Sequence, residues 1–139
     1  MRQDKSVRAF KNQLENYQYY VYMVNHYEQQ IQDCFDKLGA SPKSIDYSKV
    51  VGHTVPDKDF EYKMRGYIEI YEYKKDMFER LVAYVNSILD LMPVEQRNMA
   101  KDMFVLGENE IAVAKKYYIS PSGMRYQINR EIKKALDNS

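Results

Sequence analysis

Ten residues between positions 115 and 134 carry the side chains with the clearest chemistry in this sequence. Lysine and arginine donate charge-assisted hydrogen bonds to phosphates, and arginine, asparagine and serine also donate to base edges. The residues are Lys115, Lys116, Ser122, Gly123, Arg125, Tyr126, Asn129, Arg130, Lys133 and Lys134. From residue 111 onward there are six basic and two acidic residues (+4), whereas the preceding 110 residues have fifteen basic and eighteen acidic ones (−3). Positive charge is therefore concentrated in the segment that holds these candidates.

Two kinds of contact with DNA are expected within this set. Arg125 is the best candidate for contacting guanine, because its planar fork can donate to two acceptors in the major groove. Ser122, Tyr126 and Asn129 can contact either bases or phosphates. The remaining basic residues are expected to hold phosphates: Lys115, Lys116, Arg130, Lys133 and Lys134.

Local start signals place these residues on two short helices that meet at a tight corner. Ser120 followed by Pro121 is typical of a helix N-terminus, with a capping hydroxyl and a proline at the first helical position. Only about three residues, 118–120, separate this helix from the one before it. Two short helices joined by so short a segment predict a helix-turn-helix.

A third, earlier helix is expected from Pro93 to Gly107, where glycine can stop it, and residue 108 or 109 can begin the next. The apolar positions of the last two helices indicate their inward faces. Those residues are Ile111, Ala114 and Tyr117 in the first of the two, and Met124, Ile128, Ile132, Ala135 and Leu136 in the second.

The segment from Leu91 to Leu136 resembles region 4 of sigma-70-type factors and the helix-turn-helix of phage transcriptional activators of the RinA and ArpU type. The matching residues are Leu91, Pro93, Gln96, Arg97, Phe104, Gly107, Ala114, Ile119, Ser120, Met124, Asn129, Arg130 and Leu136. This resemblance covers about a third of the chain. It implies a regulator encoded by a phage or mobile element that acts on promoter DNA, with direct contact to RNA polymerase as a second possibility.

Two positions depart from that pattern. Tyr118 stands where such motifs usually carry glycine at the corner, so a less strained turn is expected there. Gly123 lies inside the last helix, where glycine costs about 1 kcal/mol relative to alanine.

The first 92 residues predict a long antiparallel helical hairpin, with helices at about 5–38 and 59–92 and a loop at 39–58. Within the loop, Val50 and Val51 are expected either to anchor the loop by packing or to form a short strand. Glu28 and Lys74 each interrupt the apolar series of their helix, so they are expected to form a buried pair near the middle of the hairpin.

The expected organisation is therefore all-α, with the hairpin at 1–92 serving dimerisation or partner binding and a three-helix helix-turn-helix at 93–139. Both long helices carry more apolar surface than a two-helix hairpin covers, so the excess is expected to pack against the helix-turn-helix, against a second copy, or both, and a coiled-coil homodimer is favoured. The tyrosine-rich stripe indicates core packing more than base stacking on single strands.

Neither an enzyme nor a cofactor is expected. His26 and His53 have no further histidine or cysteine at ligand spacing, so no metal site is expected, and Cys34 is expected to be a packed thiol. One cysteine, no visible signal peptide and no apolar run long enough to span a membrane predict a cytoplasmic protein.

The function expected from these observations is a sequence-specific DNA-binding transcriptional regulator whose partners are double-stranded DNA and a second copy of itself. Two alternatives stay open. One is an adaptor or inhibitor of RNA polymerase or of a host factor, and the other is a DNA-packaging subunit.

Overall fold

The computed structural model describes residues 4–39 and 58–139. All regular structure in these two ranges is helical, which confirms the all-α prediction. The helices are α1 (Lys5–Glu15), α2 (Tyr17–Lys37), α3 (Lys58–Asp90), α4 (Val94–Ala100), α5 (Glu110–Lys116) and α6 (Pro121–Asp137), and a π-helical turn (Lys101–Val105) follows α4 directly. None of the described helices is long and apolar enough to cross a bilayer. The expected loop, apart from its first and last residues, lies outside the described residues, and so do Val50, Val51 and His53.

The contacts group the chain into two compact units. We call residues 1–20 with 81–139 the terminal unit, and residues 21–80 the middle unit. This division differs from the expected boundary after residue 92, because α1 and the last ten residues of α3 share one core with the C-terminal helices.

The core of the terminal unit draws on every helix of that unit except the start of α2. Its buried side chains are Val7, Phe10, Leu14, Val85, Ile88, Leu89, Met92, Met99, Ala100, Val113, Ala114, Met124, Ile128, Ile132 and Ala135. The expected inward stripe of α6 is thus found at Met124, Ile128 and Ile132, since all three are at most 1 % exposed. Each of these side chains contributes about 1.5–3 kcal/mol to folding through removal of its surface from water.

The inward face of α5 differs from the expected one. Ile111 is 67 % exposed, whereas Val113 is fully buried beside Ala114. Each residue turns an α-helix by about 100°, so Ile111 lies about 110° from the centre of the face formed by Val113 and Ala114 and falls outside it. The prediction for Ile111 was wrong because a seven-residue helix offers too few apolar positions to define its own face.

The prediction of a single N-terminal helix over residues 5–38 was also wrong, because the helix is interrupted at Asn16. That residue has φ −95° and ψ 3°, outside helical values, and its side-chain Nδ2 donates to the carbonyl of Asn12 at 2.9 Å. An asparagine side chain that bonds the backbone in this way competes with regular helix geometry. The break leaves Phe10 and Leu14 of α1 in the core of the terminal unit.

The C-terminus of α3 is held by Arg97 of α4. The guanidinium donates from Nε to the carbonyl of Leu89 at 2.8 Å, and from Nη2 to the carbonyls of Met92 at 3.1 Å and Asp90 at 3.3 Å. The last carbonyls of a helix have no partners within the helix, so this one side chain satisfies two of them and the carbonyl of Met92 just beyond the helix end. It also fixes α4 against the end of α3.

In the middle unit α2 packs on α3 through a small apolar cluster of Cys34, Phe35, Leu38, Met64 and Ile68. The Cys34 thiol is buried, as expected, and burial raises its pKa. Burial has the largest effect on this pKa, as expected for a packed thiol, whereas the positive charge of Lys37 lowers it and the charge of Asp33 raises it.

The expected pair of Glu28 with Lys74 is not formed. Glu28 instead lies 3.7 Å from the ammonium of Lys75, and both groups are at least partly exposed. The ammonium of Lys74 lies 5.8 Å from the centroid of the Tyr27 ring. The prediction missed by one residue, which on a helix rotates the side chain by about 100° and moves it out of the contact.

Candidate nucleic-acid interface

Helices α5 and α6 are joined by a corner of four residues, and the side chains that begin both helices were predicted. Oδ1 of Asn109 accepts from the backbone of Ile111 at 2.9 Å and of Ala112 at 3.2 Å, which caps α5. Oγ of Ser120 accepts from the backbone of Gly123 at 3.1 Å and caps α6. Both caps satisfy N–H groups that have no partner inside their helix.

The corner contains a strained tyrosine. Tyr118 has φ +58°, the one positive φ of a residue other than glycine in the described ranges, and its side chain is 96 % exposed. The less strained turn expected at this position is therefore wrong, since the backbone keeps the left-handed conformation that glycine adopts easily. A bulky residue in this region costs on the order of 1–2 kcal/mol. No packing of the ring offsets that cost, because the ring is in solvent.

Gly123 has a specific steric reason to be glycine. A Cβ built at this position would lie 3.0 Å from the capping Oγ of Ser120 and 3.5 Å from Cγ1 of Ile119. The missing side chain therefore leaves room for the cap that begins α6. The cost of glycine in the first turn is offset by a cap worth about 1 kcal/mol.

The ten residues that the sequence singled out lie at the surface of α5 and α6. The exposed ones are Lys115, Lys116, Ser122, Arg125, Tyr126, Arg130, Lys133 and Lys134, and the half-buried ones are Gly123 and Asn129. On α6, Tyr126, Arg130 and Lys133 lie on the outer face, the side opposite the buried stripe of Met124, Ile128 and Ile132, and Arg125 lies exposed at the edge of that stripe. The guanidinium of Arg130 lies 5.5 Å from the ring centroid of Tyr126, which orders both side chains on that outer face.

Several of these cations are paired with carboxylates. Nζ of Lys133 lies 3.0 Å from Oδ2 of Asp4, and Nη1 of Arg125 lies 3.1 Å from Oε1 of Glu110. Oε1 of Glu110 is buried and makes no hydrogen bond, whereas Oε2 of the same carboxylate accepts from Nη1 of Arg125 at 3.4 Å. Exposed ion pairs contribute only about 0–1 kcal/mol, so phosphate oxygens can replace these carboxylates at little cost.

Lys116 is held more firmly than the other candidates. Its ammonium lies 3.0 Å from Oδ2 of Asp102 and 3.4 Å from Oε2 of Glu108, and the same Asp102 oxygen accepts from the hydroxyl of Tyr117 at 3.0 Å. The hydrogen bond with Asp102 raises the pKa of Lys116, and burial together with the same carboxylate raises the pKa of Tyr117. These bonds tie the end of α5 to the π-helical turn. Lys115 forms no ion pair with any residue in 4–39 or 58–139.

Helix α1 lies alongside α6 and adds residues that sequence reasoning missed. Asp4 contacts Lys133. Burial lowers the pKa of Lys11, and the nearby positive charge of Arg125 lowers it further. Asp4, Arg8 and Lys11 follow a 4–3 spacing on one face of α1, so the exposed Arg8 lies between them beside α6. No local signal in the sequence points to this placement, because it depends on a contact between the two ends of the chain.

No protein-family model, curated protein or solved structure matches this chain.

Proposed function

We propose that this protein binds duplex DNA in a sequence-specific manner and regulates transcription. The observation that carries the proposal is the outer face of α6: a capped helix that follows a four-residue corner and exposes serine, arginine, tyrosine and lysine opposite a buried apolar stripe. In this proposal α4, α5 and α6 form a three-helix helix-turn-helix, and the middle unit is an antiparallel hairpin.

The outer face of α6 has the dimensions and chemistry for a major groove. The groove is about 12 Å wide and admits one α-helix, whose N-terminal residues reach base edges. Ser122, Arg125 and Tyr126 occupy the first two turns of α6 and are exposed. Arg125 therefore contacts guanine in this arrangement, with Ser122 and Tyr126 beside it.

In this arrangement basic residues on either side of the groove contact the DNA phosphates. Lys115 precedes the corner, Lys133 lies on the last turns of α6, and Arg8 of α1 lies beside α6. Each neutralised phosphate releases counterions, so affinity falls steeply with salt. Glu110 holds the Arg125 guanidinium in the free protein and is replaced by a base edge in the complex.

The regulatory role is supported by the resemblance of residues 91–136 to sigma region 4 and to phage activators, with promoter DNA as the target. A protein-binding adaptor is the second candidate, and it is favoured by the exposed tyrosines of the middle unit, Tyr62 and Tyr73 above all. Binding to RNA polymerase in the absence of DNA, with no affinity for any duplex, would favour the adaptor.

The experiment that tests DNA binding is selection of bound fragments from random duplex DNA at physiological salt, followed by titration of the selected site. We expect a recurrent motif, bound at least about a thousandfold more tightly than random duplex. Arg125→Ala is expected to relax the preference at one base pair by about 1–3 kcal/mol, whereas Lys133→Ala weakens all duplexes alike and flattens the salt dependence.

Lys58→Ala is the matched control, because it removes one exposed positive charge from the middle unit. It is expected to leave both affinity and salt dependence unchanged. Selection without any enriched motif, or equal binding by all three variants, would overturn the assignment of α6 as the recognition helix.

A further inference from the structure

Helix α3 exposes an apolar face within the middle unit. Ile70 is 51 % exposed, Tyr73 is 73 % exposed and Met77 is 43 % exposed. The opposite side of the same helix, at Met64 and Ile68, is buried against α2. Three adjacent apolar side chains therefore lie in solvent on a helix that already has its own packed face.

The spacing of these residues matches one heptad of a coiled-coil seam, and the next d positions before and after it are Gly66 and Arg80. Positions 70, 73 and 77 follow a 3–4 pattern, which corresponds to heptad positions a, d and a. Beside the seam, Tyr67 occupies the e position of the preceding heptad and Tyr62 the g position of the heptad before that, and they are 45 % and 82 % exposed. At about 200 Å² for a large side chain, the exposed parts of these five residues offer roughly 600 Å² per copy. Two copies would bury at most about 1,200 Å², which is at the lower end of the range for specific interfaces.

The charges beside the seam favour a second copy in parallel orientation. In the same heptad frame Glu69 occupies a g position and Lys74 the following e position, and both are exposed. A parallel pair places Glu69 of one copy next to Lys74 of the other, twice across the two-fold axis. An antiparallel pair would place g beside g, so that Glu69 would meet Glu69 or Asp76 of the second copy. That arrangement brings like charges together.

We propose that two copies of this chain associate through the face of α3 formed by Ile70, Tyr73 and Met77, in parallel, with Glu69 and Lys74 pairing across the interface. Glu69 makes no ion pair within the described part of the chain, so it is available to the second copy. Lys74 gives up only an exposed contact with the Tyr27 ring.

The apolar part of this interface is tested by the mass of the full chain in solution across a concentration series from micromolar to hundreds of micromolar. We expect a dimer for the unaltered chain and a monomer for Ile70→Asp, because the dimer Kd of this variant is expected to be at least about a hundredfold higher. Tyr22→Asp is the control, because it places the same charge at another exposed apolar residue of the middle unit. A monomeric unaltered chain would overturn the proposal, and so would equal dimerisation by both variants.

The orientation is tested by exchanging charges without touching the core. Glu69→Lys and Lys74→Glu are each expected to raise the dimer Kd about tenfold, because each places like charges across the axis twice. The double variant restores the pairs with their signs exchanged and is expected to return Kd to near the original value. If the double variant is as weak as either single variant, the parallel pairing is wrong. These measurements contain no DNA, so their outcome is separate from that of the fragment selection.

Discussion

Nζ of Lys133 lies 3.0 Å from Oδ2 of Asp4, a residue 129 positions earlier in the chain. Asp4 also accepts from the backbone of Ser6 at 2.8 Å and so caps α1. The Asp4 carboxylate therefore caps α1 and also forms an ion pair with Lys133 on the outer face of α6. The contact joins the stability of the terminal unit to the charge of its proposed binding surface.

Replacing Asp4 with asparagine is expected to strengthen DNA binding. Asparagine caps a helix about as well as aspartate, so α1 keeps its N-terminus while Lys133 loses its carboxylate. We expect the Kd for the selected duplex to fall about threefold, in line with an exposed ion pair. Fluorescence anisotropy measures this, with Asp59→Asn in the first turn of α3 as a control that removes a negative charge from the middle unit. Equal gains by both variants would show a general charge effect in place of a local one.

The ion pair between Asp4 and Lys133 also makes the stability of the fold depend on pH. Hydrogen bonds from Ser6 and Lys133 hold the pKa of Asp4 well below its usual 3.8, and Asp4 raises the pKa of Lys133 above its usual 10.5. A lowered carboxyl pKa stabilises the fold above pH 3.8 and loses that contribution as pH falls through the lowered value. A raised ammonium pKa stabilises below pH 10.5 and loses its contribution as pH rises through the raised value.

The unaltered chain is therefore expected to have a higher Tm than Asp4→Asn between about pH 4 and pH 10, with the difference shrinking outside those limits. Thermal unfolding followed by circular dichroism across this range measures the difference. A difference that stays constant down to the most acidic samples would rule out the ionised carboxylate as its source.

Arg97 is expected to be the most stabilising polar side chain of the terminal unit. Arg97→Met keeps the length of the side chain and removes its three hydrogen bonds to the end of α3. We expect a loss of about 2 kcal/mol in the free energy of unfolding, because these bonds come from a charged donor to half-buried acceptors. Urea unfolding measures the loss. Arg80→Met, at an exposed position, is the control and is expected to change stability by less than about 0.5 kcal/mol.

Tyr118 offers a test of backbone strain. Tyr118→Gly is expected to raise the free energy of unfolding by about 1 kcal/mol, because glycine adopts φ +58° without a Cβ clash. Tyr118→Ala removes the same exposed ring and keeps the Cβ, so it is expected to leave stability near that of the tyrosine chain. Comparing the two variants by urea unfolding separates the backbone from the side chain. Equal stability of the two variants would contradict the strain at this corner.

Local chemistry explains which parts of the fold could be predicted. The caps at Asn109 and Ser120 and the stop at Gly107, with φ +66°, depend on neighbours within a few residues and were confirmed. The stripe through Met124 and Ile132 was confirmed too, because α6 is long enough to show its period.

The errors arose where one residue or a distant contact decides the outcome. Asn16 breaks the first helix without a proline or glycine to announce it, and the apolar series continues across the break. The partner of Glu28 is Lys75 in place of Lys74, because apolar spacing does not define register to one residue. The placement of Arg8 beside α6 depends on a packing of α1 that no local pattern contains.

That packing also sets an order for folding during synthesis. Phe10 and Leu14 are synthesised long before Met124 and Ile128, yet all four side chains belong to one core. Closing so long a segment costs chain entropy before any of those contacts forms, and contacts between distant residues slow folding. The apolar face of α1 therefore stays incompletely covered until α6 has been synthesised, although Tyr84 of α3 already packs against Phe10. The basic outer face of α6 and the core beneath it are completed in the same step.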